Sequence, residues 1–359
     1  MLLITSKLKI DYPGGRELLS VLNYKSLKKI YGKNLITYEL EKIDQPSLYK
    51  AINGFKGYID GSSKKIVAEV LDIIKNNNIE NVFIDGSNLG VFAHSIKEKF
   101  PSIKITIFFH NVEVRFFYGA LRAKNSLHAL GVMVTNYFAE MKSVKFSDYR
   151  VVLNKRDSEQ LKKIYGREAT HISSIAMKDK FSDSYPNTSS KFSLKDSYAL
   201  FVGGNFYANR DGITWFLENV APKIDIKIVV IGRDLDVLKK KFFGVTNIEI
   251  IGEVDSVNDW YLGSKFVVAP IFDGSGMKTK ISEAMMFGRK IIGSEEAFFG
   301  YEQFADVAGW ICKSSDDYID AINQANSTII EPFHPELREI FKEHLSQDSY
   351  TLRLKKILK

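Results

Sequence analysis

Residues 270–293 read PIFDGSGMKTKISEAMMFGRKIIG, and their types suit the binding of a phosphorylated ligand. A strand-like run over 266–271 breaks into a short glycine loop at 273–276, followed by an apparent helix that Gly288 ends. A glycine loop feeding a helix N-terminus offers backbone N–H groups and the positive end of a dipole to an anion. Lys278 and Lys280 add full charges, and Glu283, further into the helix, accepts hydroxyl hydrogens without needing to donate. In an extended loop the two lysines, two residues apart, point the same way; in a helix they do not share a face. The plainer alternative is an ordinary strand–loop–helix unit with solvated lysines.

The elements that must position these residues alternate almost from end to end. Strand candidates lie at 2–4, 35–38, 81–84, 105–109 and 150–153, with a weak one at 171–175, and amphipathic segments at 15–31, 64–76, 89–100 and 158–165 separate them. Residues 177–197, rich in Ser, Asp and Lys and holding a proline, lose the pattern and read as a linker. Strands resume at 198–202, 226–231, 247–251, 265–271 and 290–293. The expectation is an α/β protein of two Rossmann-like, doubly wound domains facing across a cleft, spanning 1–176 and 198–334. A helical region at 335–359 is expected to pack back toward the first domain.

Bulk properties narrow the field. A chain of 359 residues favours two domains. No apolar run approaches a membrane span, and the start reads as a strand rather than a signal peptide. One cysteine, Cys312, excludes an internal disulfide, and six scattered histidines show no metal-ligand spacing, so a cytoplasmic protein without a metal is the default. The net charge of +7 is uneven: residues 1–176 hold 27 Lys+Arg against 17 Asp+Glu, roughly +10, and the rest is roughly −3. A basic first half suits an anionic surface, membrane or nucleic acid, unless it only solubilises. No recognition motif accompanies the charge, so nucleic acid is the least favoured partner. Residues 115–145, aromatic, basic and largely apolar, fit either core helices or a helix pair lying on an anionic interface.

The second half resembles the GT-B glycosyltransferases, in particular the large retaining family 4. The resemblance follows FVGGNFYANRDGITWFLENV at 201–220, IVVIGRD at 228–234, IEIIGEVDSVNDWY at 248–261 and FVVAPIFDGSGMKTKISEAMMFGRKII at 266–292, with a turn at 299–300. The first half matches more loosely through PGG at 13–15, FFHNVE at 108–113 and VVLNKRDSEQLKKIYG at 151–166. The resemblance implies that Glu283 holds the nucleotide ribose and that Lys280, backed by Lys278 and Thr279, stabilises charge on the departing diphosphate. It places Gly14, Gly15, Gly204 and Arg233 near the phosphates, Gly252, Glu253 and Val254 against the base, and His110 near the donor sugar or acceptor. Gly14 and Gly15 read equally well as a plain tight turn, Arg233 as a surface arginine, and Asn209 and Gly212 as a helix start. One departure stands out: the family's E-x7-E pattern has Ser275 in place of its first glutamate. The main-chain N–H groups of Ser275, Gly276 and Met277 are then left to hold the sugar, and the donor's identity does not carry across.

Three look-alikes carry less. Asp234-Leu235-Asp236 spells the DxD of metal-dependent transferases, but reads better as a helix start capped by aspartate. GSGMKT at 274–279 lacks the glycine that precedes a P-loop lysine, and the start of the chain has no GxGxxG. The expected protein is a transferase using a UDP- or GDP-linked sugar without a metal or other cofactor. Its acceptor would be a glycan or lipid-linked glycan in bacterial surface polysaccharide assembly, at the inner face of the cell membrane. A non-catalytic partner subunit and a sugar-nucleotide epimerase of the same fold are the rivals.

Overall fold

The computed structural model describes residues 1–8, 15–41, 52–124, 126–181, 198–274 and 276–359. Gly14, Ser275 and most of the expected linker lie outside the described residues. The chain divides into two compact units, residues 1–176 with 347–359, and residues 177–346. Residues 335–346 group with the second unit, so the return to the first begins at Gln347.

The first unit is built on a six-stranded parallel sheet in the order β2-β1-β3-β4-β5-β6. Its strands are β1 (Leu2–Ser6), β2 (Ile36–Leu40), β3 (Asn81–Asp85), β4 (Lys104–Phe108), β5 (Tyr149–Val152) and β6 (His171–Ile172). The central strands are unbroken apolar runs because helices cover both faces. Those helices include α1 (Gly15–Tyr31), α2 (Lys64–Asn76), α3 (Gly90–Lys99), α4 (Glu113–Lys124), α5 (Leu127–Phe146) and α6 (Lys155–Tyr165). Helix starts follow local capping: Ser63 accepts from the Ile66 N–H, and Asn154 from the Asp157 N–H. Strand order reverses between β1 and β3, the position where open α/β sheets place ligands.

The second unit repeats the plan with order β12-β11-β10-β7-β8-β9, reversing between β7 and β10. Its strands are β7 (Tyr198–Val202), β8 (Lys227–Ile231), β9 (Ile248–Gly252), β10 (Ser264–Ala269), β11 (Ile291–Ser294) and β12 (Gly309–Cys312). The helices that matter below are α7 (Tyr207–Asn219) and α8 (Thr279–Met286). Helix α7 lies very close to the loop after β10. A Cβ on Gly212 would sit 1.8 Å from the Pro270 carbonyl oxygen, so only glycine permits the approach.

Two features differ from the sequence expectation. Strand β12, four residues of sequence GWIC, has no periodicity of its own to announce it. The expected terminal helical region is broken into Pro335–Ile340, a π-type turn at Phe341–Leu345, and a last helix, α9 (Gln347–Ile357). The break at Ser346 lets Met177 and Ser346 pair side by side as the chain enters and leaves the second unit. Helix α9 packs on α1 of the first unit, where Tyr350 donates to Asn23 Oδ1 and Thr351 to Ser26 Oγ at 2.9 Å. Arg353 adds bonds to Ser173 Oγ and the Ser174 carbonyl.

Candidate functional site

In the second unit the carboxyl ends of β10, β7, β8 and β9 stand in that order along one sheet edge, and their loops are laced together. The Asn205 N–H donates to the Arg233 carbonyl at 2.9 Å, and the Gly232 N–H to the Gly252 carbonyl at 2.8 Å. Gly252 has φ +96, and a Cβ there would meet the Asp236 carboxylate at 2.5 Å. Gly204, Arg233, Gly252, Glu253 and Val254 are therefore neighbours. Arg233 and Glu253 form an exposed ion pair at 3.0 Å that bridges two of the loops. Asp234 does not cap the turn that follows. It has φ 60 and makes no side-chain cap bond, while Asp236 pairs with Lys239 at 2.6 Å. The aspartate cap expected for that segment is not formed, because the chain turns left-handed there before a single short 3₁₀ segment.

Lys280, in the first turn of α8, lies at this edge. Its side chain is buried, with Nζ 2.7 Å from Asn209 Oδ1 and 4.4 Å from the centre of the Phe201 ring. Asn209 in turn donates to the Gly204 carbonyl at 3.1 Å, so it ties the lysine to the glycine turn after β7. Burial pulls the Lys280 ammonium down to about 7, with Lys278 repelling it and Glu283 partly opposing the shift. A buried ammonium with one neutral acceptor and one aromatic face is an incomplete site for a cation.

The two lysines do not act as a pair pointing one way. Lys278 stands just before α8 in extended conformation and bonds to Glu296 Oε1 at 2.8 Å and to the Gly276 carbonyl at 2.9 Å. It braces the glycine loop, and Met277 is buried beneath Gly300. Thr279 is the first residue of α8. Glu283, one turn on from Lys280, accepts from the buried Tyr261 hydroxyl at 2.9 Å, and Tyr261 stacks on Phe287 at 5.2 Å. That contact fixes one carboxylate oxygen and leaves the other without a hydrogen bond among the described residues. Asn209, Phe201, Tyr261 and Glu296 all support the site. Of these only Asn209 drew attention in the sequence, where a capping role seemed the better account.

His110 belongs to the first unit. It follows β4, is buried, and its Nε2 lies 2.9 Å from Asp85 Oδ1 at the end of β3. The ring N–H is not directed along this contact, and Nδ1 has no hydrogen-bond partner among the described residues. Asp85 also accepts from Thr5 Oγ1 at 2.8 Å and Asn23 Nδ2 at 2.7 Å. Burial alone would raise its carboxyl. The His110 charge, with the hydroxyls of Ser20 and Thr5, holds it well below the ordinary carboxylate range instead. Tyr350, from α9, closes the chain His110–Asp85–Asn23–Tyr350.

A second buried carboxylate organises the helix after His110. Glu140 accepts from Ser87 Oγ, Tyr165 Oη and the free N–H groups of Glu113 and Val114 at the start of α4. Glu113 itself is pushed up to about 7, chiefly by burial and by Glu140, against the pull of Arg16. Arg16, at the start of α1, bonds to Asp60 at 3.2 Å and Asn88 at 3.1 Å. Gly15 is the first residue of that helix. Among the described residues no group of three His, Cys, Asp or Glu side chains gathers as metal ligands. No helix among them is long and apolar enough to cross a membrane.

Comparison with known proteins agrees with this fold. Residues 196–328 match the family model described as glycosyl transferases group 1. A sequence search of the curated proteins gave no significant match. Solved structures of the same fold include sucrose-phosphate synthase from Thermosynechococcus elongatus, at TM-score 0.72 and 12% identity, covering 99% of this chain and 98% of that one. The lipopolysaccharide outer core galactosyltransferase WaaB aligns at 0.66 and 13%, with coverage of 99% and 98%. Anabaena Alr3699/HepE in complex with UDP aligns at 0.67 and 12%, again covering 99% and 98%. The chain has the GT-B architecture and resembles the group 1 glycosyltransferases, most directly through its second unit.

Proposed function

We propose that this chain, with the architecture of the GT-B glycosyltransferases, moves a sugar from a nucleoside diphosphate donor to an acceptor hydroxyl. One observation carries the proposal: the buried Lys280 ammonium, hydrogen-bonded among the described residues to a neutral amide and not to a carboxylate, stands where four strand-end loops of one domain meet. A diphosphate is the ligand that completes such a site, because it supplies the missing negative charge in a place with few competing waters. As the anomeric C–O bond breaks, charge grows on the leaving phosphate oxygen, and Lys280 stabilises it. Glu283, its second oxygen open, accepts from a ribose hydroxyl. The acceptor oxygen attacks on the face that the phosphate leaves, so the configuration is retained, and the departing phosphate oxygen takes the acceptor's proton. No metal is required for the charge that Lys280 and the loop N–H groups neutralise. Complexes of HepE with UDP and UDP-glucose favour a uridine donor over a guanosine one.

The acceptor in this proposal is a growing surface glycan on a lipid carrier, reached from the cytoplasmic side. On α4 and α5 the side chains of Phe116, Tyr118, Leu127 and Phe138 are exposed in the basic first unit, as an interfacial helix pair requires. Purified protein incubated with a panel of uridine and guanosine diphosphate sugars is expected to release nucleoside diphosphate and form a glycoside with a suitable acceptor. Equal release by Lys280→Ala, Glu283→Ala and the unaltered protein would sink the assignment.

A further inference from the structure

The second unit carries a pocket that the donor chemistry leaves unused. It holds about 400 Å³ and lies between α7, the loop after β10 and the turn after β12. Its walls are Tyr207, Trp215 and Phe272, and its polar groups are Asp211, Asp273 and Lys313. Trp215 and Phe272 meet edge to face at 4.8 Å, and Tyr207 donates to Asp273 at 3.1 Å. Phe272 is 47% exposed and Tyr207 43%. Large aromatic side chains kept open around a concavity mark a binding surface.

The charges say what kind of ligand fits. Two carboxylates line the pocket: Asp211 is paired with Arg210 at 3.1 Å and Lys313 with Glu295 at 3.0 Å, while Asp273 meets a tyrosine hydroxyl and a backbone N–H rather than a cation. That balance repels a phosphate, so the pocket is not a second nucleotide site. Aromatic walls match the C–H face of a pyranose ring, and carboxylates accept from its hydroxyls. The volume lies in the usual range for small-ligand pockets, roughly 300–1,000 Å³, and suits one or two sugar rings.

We infer that this pocket binds a neutral sugar residue of the glycan that the enzyme extends or has just extended. The role rests on the proposed transferase activity, but the binding does not. The pocket and the Lys280 edge share α7, with Asn209 serving one and Asp211 the other. Occupancy would keep the glycan on the enzyme between transfers.

The test uses the full chain, saturation-transfer NMR and calorimetry with neutral gluco-, galacto-, manno- and chito-oligosaccharides. In parallel, UDP and GDP are titrated. At least one oligosaccharide is expected to bind saturably, with its ring C–H protons receiving the strongest transfer. Phe272→Ala and Asp211→Ala should each weaken that binding about tenfold, the worth of one stacked ring or one well-placed acceptor. Asp211→Ala should leave nucleoside diphosphate affinity unchanged. Absence of saturable binding across the panel, or binding undiminished in both variants, overturns the inference while the transferase assay stands untouched. Displacement of the sugar by inorganic phosphate would also overturn it, since the pocket would then be an anion site.

Discussion

The two units share one sheet plan and treat their buried charges in opposite ways. In the first, Asp85 is met by His110, Thr5 and Asn23, and Glu140 by two hydroxyls and two backbone N–H groups. Those carboxylates are satisfied from within, so they hold the fold, with His110 buried against one of them. In the second, Lys280 is buried with one amide oxygen and a phenyl face, and Glu283 with one tyrosine hydroxyl. A buried group left short of partners lowers the stability of the empty protein and is repaid when a ligand binds. Completeness marks the scaffold, and deficit marks the edge to which the proposed chemistry is assigned.

Removing a partner from the complete cluster should do the most damage. Asp85→Ala leaves Thr5 and Asn23 without their shared acceptor and His110 without the charge beside it, and is expected to destabilise the protein by about 3–5 kcal/mol in denaturant unfolding. A loss below 1 kcal/mol would mean the cluster is not structural. Lys280→Met should act in the opposite sense on stability and lower transfer about 10²–10³-fold, the usual cost of one lost charge-stabilising donor. Its melting temperature should match or exceed that of the parent at pH 7, because an apolar side chain replaces a desolvated ammonium.

The pH dependence sharpens the contrast. Lys280 titrates at about 7 in the folded protein and near 10.5 when unfolded. Between those values the unfolded chain binds more protons, so the empty protein gains stability as pH rises through the window and loses it below. Diphosphate favours the charged lysine, so its affinity should fall about tenfold per unit from roughly pH 8 upward, by calorimetry. The same titration on Lys280→Met should be flat. Smallest of all, Tyr261→Phe removes one hydrogen bond to Glu283 and should weaken nucleotide binding by about 1 kcal/mol with kcat little changed. A larger loss in kcat than in affinity would give Tyr261 a part in the reaction itself.

Most strand positions were legible because buried parallel strands are largely apolar runs. The loop–helix at 270–293 was legible because glycine, lysine and glutamate stood at informative spacings. What the sequence hid were the partners. Nothing local says that Asn209 holds Lys280, that Glu296 claims Lys278, or that Tyr261 anchors Glu283, since each pair joins different strand-end loops. Strand β12 was hidden for another reason: four residues that begin at Gly309 show no period. The terminal helical pattern ran on through Ser346, where only tertiary pairing with Met177 reveals the break.

The side-by-side passage at Met177 and Ser346 makes the second unit an insertion within the first. Tyr350 and its partner Asn23 are 327 residues apart in sequence. During synthesis, the second unit can close on itself before the ribosome has made the helix that finishes the first. Until then Asn23 and Asp85 wait without Tyr350, and α1 shows an uncovered flank to chaperones. A fragment ending before Gln347 would therefore leave the earlier-made half of the protein unfinished, and a nonsense mutation near the end would be felt at the beginning.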